Sequence, residues 1–128
     1  MNIPHDLLYT PEHFWVKKEG DVYRCGITDF AQEELGDVVY VEMPKVNTTV
    51  KKGDRLGDVE SIKTVSNLYA PLSGVITDVN SLLKDKPETI NQSPYEKGWI
   101  CIIQPNDESE VQQLLNAEGY QKLIKENT

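Results

Sequence analysis

Apolar side chains recur along this chain at two spacings, and each spacing predicts a different kind of element. Tyr9 to Val16 and Val22 to Ile27 carry strand-forming residues, and the polar, glycine-containing link Lys17-Lys18-Glu19-Gly20-Asp21 between them predicts a β-hairpin. Thr28-Asp29-Phe30-Ala31-Gln32-Glu33-Glu34-Leu35-Gly36 predicts a short helix, with Thr28 as cap and Gly36 as a left-handed stop. Val38 to Met43 alternates Val38, Tyr40 and Glu42 against Val39, Val41 and Met43, the period of a strand, which Pro44 ends. From Asn47 to Asn80 come short strands of about four to six residues. They are punctuated at Lys52-Gly53-Asp54, around Lys63, at Ala70-Pro71 and at Ser73-Gly74.

Ser81 to Pro94 reads as a loop with one helical turn around Leu82-Leu83, and Trp99 to Ile103 is apolar enough to be a central closing strand. Asp107 or Ser109 opens a terminal helix whose apolar positions are Val111, Leu114 and Leu115. Gly119 is expected to interrupt it, and Tyr120, Leu123 and Ile124 continue the stripe in a second segment. That amphipathic end is expected to pack on the rest of the fold. Many short strands with regular turns argue for a sandwich or barrel, mostly β, with a short internal helix and C-terminal helices.

Composition narrows the class. With 128 residues, 38% of them hydrophobic, the chain has apolar material for one core, so one domain over residues 1–128 is expected. Thirteen basic against twenty-one acidic side chains leave a net charge of −8, which would repel a phosphate backbone and argues against nucleic-acid binding. No apolar run approaches the roughly 20 residues of a membrane span. The first residues, Met1 to Asp6, lack the basic-then-apolar order of an export signal, so a cytoplasmic protein is the expectation. Cys25 and Cys101 belong to no paired motif and sit among strand-forming residues, which predicts buried free thiols.

Reactive constellations are missing. His5 and His13 have no Cys or His at ligand spacing, so no metal site is expected, and neither a nucleophile elbow nor a phosphate-binding glycine loop occurs. Asp58 and Glu60 share one face of a predicted strand and look like an acid/base pair, but exposed charges beside a hairpin tip are the simpler reading. No catalytic residue is assigned. What stands out is Lys63, which lies midway between two strand-like segments that close at Gly53 and Gly74. This near-symmetry places one primary amine at a hairpin tip and reads as two matching halves joined there.

Glu60-Ser61-Ile62-Lys63-Thr64-Val65-Ser66, followed by Tyr69-Ala70-Pro71-Leu72-Ser73-Gly74, resembles the lipoylation segment of the H proteins of the glycine cleavage system. The resemblance extends through Tyr9 to Val16, Gly26 to Asp29, Ala31-Gln32, Leu35 to Val41, Ile90-Asn91, Ser93 to Tyr95 and Gly98-Trp99, and so covers nearly the whole chain. It implies a barrel-sandwich hybrid fold, with a lipoyl hairpin at about residues 53–74 and a helical segment at about 107–126. It implies lipoate in amide linkage to Lys63, presented by Glu60, Ser61, Ile62, Thr64 and Val65. The implied role is a non-catalytic carrier, a monomer, that serves glycine decarboxylase, aminomethyltransferase and dihydrolipoamide dehydrogenase and is loaded by a lipoate-attaching enzyme. Lysine plus lipoate makes an arm of about ten single bonds, with a reach on the order of 14 Å.

Thr10, Glu12, Phe14, Phe30 and Asn67 are the expected walls of a cleft that shelters the loaded arm. Three of them depart from the family pattern, which usually has glutamate at Phe14, histidine at Phe30 and aspartate at Asn67. A cleft with fewer charges leaves open an H-like lipoyl carrier of another pathway, such as sulfur oxidation or lipoate relay. A biotinyl carrier is a further alternative, against which Ile62 and Thr64 stand where biotin sites typically place methionines.

Overall fold

The computed structural model describes residues 1–126. The first meander consists of β1 (Leu8–Tyr9), β2 (Phe14–Glu19) and β3 (Val22–Ile27). Tyr9 to Val16 is therefore not one strand. A turn interrupts it: the Thr10 N–H donates to the Phe14 carbonyl at 2.9 Å, the Thr10 hydroxyl accepts from the Phe14 N–H at 3.2 Å, and His13 takes φ 70°. Pro11, which has no N–H to give a ladder, explains why the strand breaks there. The hairpin link is also shorter than its polarity predicts. Glu19 pairs with Val22, so Gly20 and Asp21 alone make the turn, and Lys17 and Lys18 are solvent-facing strand residues.

After α1 (Asp29–Leu35), the chain forms β4 (Val38–Glu42), β5 (Thr49–Val50), β6 (Arg55–Ser61), β7 (Val65–Tyr69) and β8 (Gly74–Val79). Two short helical turns, α2 (Leu82–Asp85) and α3 (Thr89–Gln92), occupy the segment expected to be loop with a single turn. They form because Leu83 and Ile90 are buried in the core. The closing strand β9 (Cys101–Pro105) begins two residues later than Trp99 and lies centrally, between β3 and β8. Together the strands make a six-stranded sheet, β1-β2-β3-β9-β8-β5, and a three-stranded sheet, β4-β6-β7.

The near-symmetry about Lys63 has a definite structural meaning. Its two flanking arms pair along their length: Thr49 and Val50 oppose Val75 and Gly74 in the large sheet, the Gly53 N–H donates to the Ala70 carbonyl at 2.9 Å, and β6 pairs with β7 in the small one. The arms thus bridge the two sheets and end at Lys63. Gly57 lets β6 approach β4 closely, since a Cβ there would run into the Glu42 carbonyl. The main core fills the space between the sheets, with Val59, Leu72, Ile76, Ile100 and Ile103 fully buried.

The chain end departs from expectation in where it breaks. A 3₁₀ helix at Glu108–Gln113 is followed by α4 (Ala117–Glu126), and Gly119 lies inside that helix, not between segments. The interruption falls at Leu114 to Asn116: Leu115 exchanges two 2.8 Å backbone hydrogen bonds with Tyr9, and the Asn116 side chain accepts from the Gly119 N–H at 2.8 Å, capping α4. Tyr120 then stacks on Tyr9 with centroids 4.7 Å apart, in a second core that includes Leu7, Trp15, Ala117 and Ile124. Cys25 and Cys101 are buried free thiols, as their surroundings predict, and face each other across β3 and β9. Burial pushes the Cys25 thiol pKa up.

Candidate functional site

Lys63 stands at the centre of the three-residue tip, Ile62 to Thr64, that joins β6 to β7. Ser61 builds the tip: its buried hydroxyl accepts from the N–H groups of Lys63 at 3.3 Å and Thr64 at 3.2 Å, while its own N–H donates to the Thr64 carbonyl at 2.8 Å. A serine doing this replaces ladder bonds that a tight turn cannot make. The Ile62 N–H donates to the Asp37 carbonyl at 3.1 Å, fastening the tip to the strand beside it. Lys63 is exposed, and so are its apolar neighbours, Ile62 at 71% and Val65 at 57%. Val39 and Tyr40 are also exposed, and Tyr40 lies in register with Glu60 and, through it, Val65. Lys63 is thus surrounded by apolar side chains open to solvent, an arrangement that suits contact with a partner.

Beneath the lysine lies Gly36, the stop residue of α1, at φ 80°. A Cβ on Gly36 would sit 3.5 Å from Lys63 Cε, so the lysine stem runs over the end of this helix. Asn91 on α3 clamps that end from below. Its Nδ2 donates to the Gly36 carbonyl at 2.8 Å and to Gln32 Oε1 at 3.0 Å, and its Oδ1 accepts from the Val38 N–H at 2.9 Å. Asn91 carries a structural role that spacing alone does not reveal, because its three partners are remote in sequence.

A cavity of about 340 Å³ opens beside the tip, between β7, the Glu12–Phe14 segment and one face of α1. Of the expected cleft residues, Glu12, Phe14, Phe30 and Asn67 line it. Thr10 does not: its hydroxyl is buried and engaged by the Phe14 backbone. Thr64 and Val65 of the presenting hairpin also form part of the wall. Asn67 has its amide turned to the sheet surface, where Oδ1 accepts from Arg55 Nε at 3.3 Å and Nδ2 donates to the Tyr69 hydroxyl at 3.3 Å. Arg55 also pairs with Asp58 at 2.9 Å and Glu42 at 3.3 Å, so Asp58 and the exposed Glu60 are surface charges and not a convergent acid/base pair.

Three polar residues of the wall were not among the expected site residues: His13, Glu34 and Ser66. Glu34 follows Phe30 by one helical turn, which is the signal that could have found it. His13 is placed by the turn before β2. Its Nδ1 lies 2.8 Å from the Tyr120 hydroxyl, which lies 2.7 Å from the Thr28 hydroxyl, and its ring packs on Phe30 with centroids 5.0 Å apart. Burial lowers the His13 pKa, an effect that the nearby carboxylates Glu12 and Glu34 oppose. The imidazole is accordingly neutral at pH 7.

The family model for the glycine cleavage H-protein matches residues 7–127. The chain belongs to the glycine cleavage H-protein family. Members of this family are the lipoyl carriers of the glycine cleavage system. Relatives named glycine cleavage system H protein include those of Geobacillus thermodenitrificans, 56% identical over 98% of this chain and 99% of the relative, and Oceanobacillus iheyensis, 53% identical over 98% and 100%. The Bacillus subtilis protein of that name is 51% identical over 99% of this chain and 100% of its own. A crystal structure of the H protein from Mycobacterium marinum superposes with a TM-score of 0.84 at 42% identity and covers 98% of both chains. The barrel-sandwich fold that the resemblance implied is thus the fold of this family. Among the described residues, no helix is long and apolar enough to cross a membrane.

Proposed function

We propose that Lys63 carries the lipoyl group in amide linkage and that this H-protein chain, with no catalytic group of its own, delivers it in turn to three enzymes. These are glycine decarboxylase, which loads the aminomethyl group, aminomethyltransferase, which removes it, and dihydrolipoamide dehydrogenase, which reoxidises the arm. When bound, the lipoyl group supplies a disulfide to be reduced and a thiol to hold the one-carbon amine.

The observation that carries this reading is the pairing of an exposed amine on a stiff two-strand tip with a cavity that opens beside it. The residues present fit such an arm. The floor is apolar, with Phe14, Ile27, Leu35 and Val59, and the wall has the carboxylates Glu12 and Glu34. These two acids offer negative charge to a cationic load where Phe14 and Asn67 do not. The cleft runs along α1, whose 7 residues span about 10 Å at ~1.5 Å per residue. An arm with a reach of about 14 Å covers that length. A rigid base with a flexible tether also keeps the dithiolane at high effective concentration near each docked enzyme.

Intact mass and peptide mapping after incubation with a lipoate-attaching enzyme test the reading. A single lipoyl adduct on the peptide containing Lys63, absent in Lys63→Arg, is expected, and a biotin-attaching enzyme should leave the mass unchanged. An adduct on another lysine, or none on folded protein, overturns it.

A further inference from the structure

Leu35 and Thr64, the neighbours of Gly36 and Lys63, line the cleft near the C-terminal end of α1, while His13, whose carbonyl accepts from the Thr28 N–H at 3.0 Å and whose ring packs on Phe30, lines it near the start of that helix, a helix length of about 10 Å away. An arm that starts at Lys63 and lies along α1 therefore brings its distal sulfurs toward His13, where Phe14 and Phe30 also line the cavity. Thioether and thiol sulfurs make favourable contacts with aromatic edges, so those two rings suit that end of the arm.

The hydrogen-bond chain behind His13 fixes which of its nitrogens carries the proton. Thr28 is fully buried, and its hydroxyl oxygen accepts from the Ala31 N–H at 3.2 Å. Its remaining partner is Tyr120, so the Thr28 O–H donates to the phenol oxygen, and the Tyr120 O–H donates to His13 Nδ1. The reverse order would leave the Thr28 proton buried without an acceptor, at the cost such groups carry. Nδ1 is therefore the acceptor and Nε2 holds the proton. Among the described residues Nε2 has no hydrogen-bond partner, while the ring lines the cavity. The imidazole presents a single neutral donor to whatever lies in the cleft.

We propose that His13 is a positioning residue for the reduced arm: its Nε2–H, aimed by the Thr28–Tyr120 chain, donates to the distal sulfur and favours its thiolate. The thiol proton leaves to solvent, and no other bond changes. A hydrogen bond to the charged form of a group stabilises that form, which makes one arm sulfur the better nucleophile at neutral pH. The charged groups that face His13 are Glu12 on its own turn and Glu34 on α1, and from α4 it meets the uncharged Tyr120. The two carboxylates disfavour a thiolate, so the donated hydrogen bond must outweigh them.

This inference rests on the lipoyl reading of Lys63, and its test separates the two. The lipoylated chain, verified by intact mass, is reduced and alkylated with iodoacetamide across pH 6–10, and the adduct is located on the arm by peptide mapping. Absence of the lipoyl mass refutes the carrier reading. With the arm in place, the alkylation midpoint of one arm thiol is expected about one pH unit below that of the same protein unfolded in urea. His13→Asn, which tolerates the left-handed backbone at this position, should return the midpoint to the unfolded value. Tyr120→Phe keeps the imidazole but removes the bond that fixes its tautomer, and should lose most of the shift. Equal midpoints in folded and unfolded wild-type protein overturn the proposal without recourse to any variant. So does a lowered midpoint that survives in His13→Asn.

Discussion

Asn91 holds together the Gln32 side chain and two backbone points that lie under the lysine, and its removal leaves the Gly36 carbonyl and the Val38 N–H without this partner. Asn91→Ala should destabilise the protein by about 1–3 kcal/mol, measured by urea unfolding. The substitution should also make the tip more prone to proteolysis; an unchanged midpoint would show that the clamp is idle. His13 gives a pH dependence whose sign follows from its environment. Burial lowers its folded pKa below the 6.5 of the unfolded chain, so between those two values the unfolded state binds more protons. Its contribution to stability is present above pH 6.5 and is lost as pH falls toward the folded pKa. His13→Asn should flatten that part of the stability profile, and a profile identical to wild type would contradict it.

Among the elements, α1 does double duty, with one face on the cleft and its end beneath Lys63. Its stop residue, Gly36, has φ 80° and ψ −157°, a backbone region nearly closed to residues with a Cβ, while the space above it is adequate for one. Gly36→Ala is thus expected to cost about 1–3 kcal/mol through backbone strain, with no steric clash, and to slow attachment of lipoate because the tip loses its support. Equal attachment rates would separate the tip from the helix beneath it. The elements also show what a sequence discloses. The hairpin about Lys63 and the helix from Thr28 to Gly36 were legible because their signals are local: alternation, a cap and a glycine stop. The break at Thr10 to His13 was signalled only by Pro11, within an otherwise persuasive run of strand formers. Gly119 misled for a related reason. A glycine in a helical pattern reads as a stop, but packing of Tyr120 and Ile124 outweighs its cost of about 1 kcal/mol, and the real cap is Asn116.

For the molecule as a whole, the cleft illustrates what the sequence does not disclose. Glu12, Phe14, Phe30 and Asn67 were identified through resemblance to a family, Glu34 is signalled only by its place one helical turn after Phe30, and His13 emerges from the packing of distant segments, which no spacing encodes. Thr10 was drawn into the same group by its neighbourhood and turns out to brace the backbone of Phe14. The net charge of −8, with Asp37 and Glu60 exposed beside the tip, favours partner surfaces of positive charge. Raising ionic strength from about 0.01 M to about 0.1 M shortens screening from about 30 Å to about 10 Å. Over that range the KM of glycine decarboxylase for the lipoylated chain should rise severalfold with little change in kcat, and a flat KM would mean that charge plays no part in docking. The central claim is that one amine, Lys63, carries all of the transfer. Its most direct test is release of carbon dioxide from glycine by the decarboxylase, driven by the lipoylated wild-type chain and by Lys63→Arg taken through the same lipoylation reaction. Turnover with the wild type and only background with the variant is the predicted result, and sustained turnover with Lys63→Arg would contradict the account.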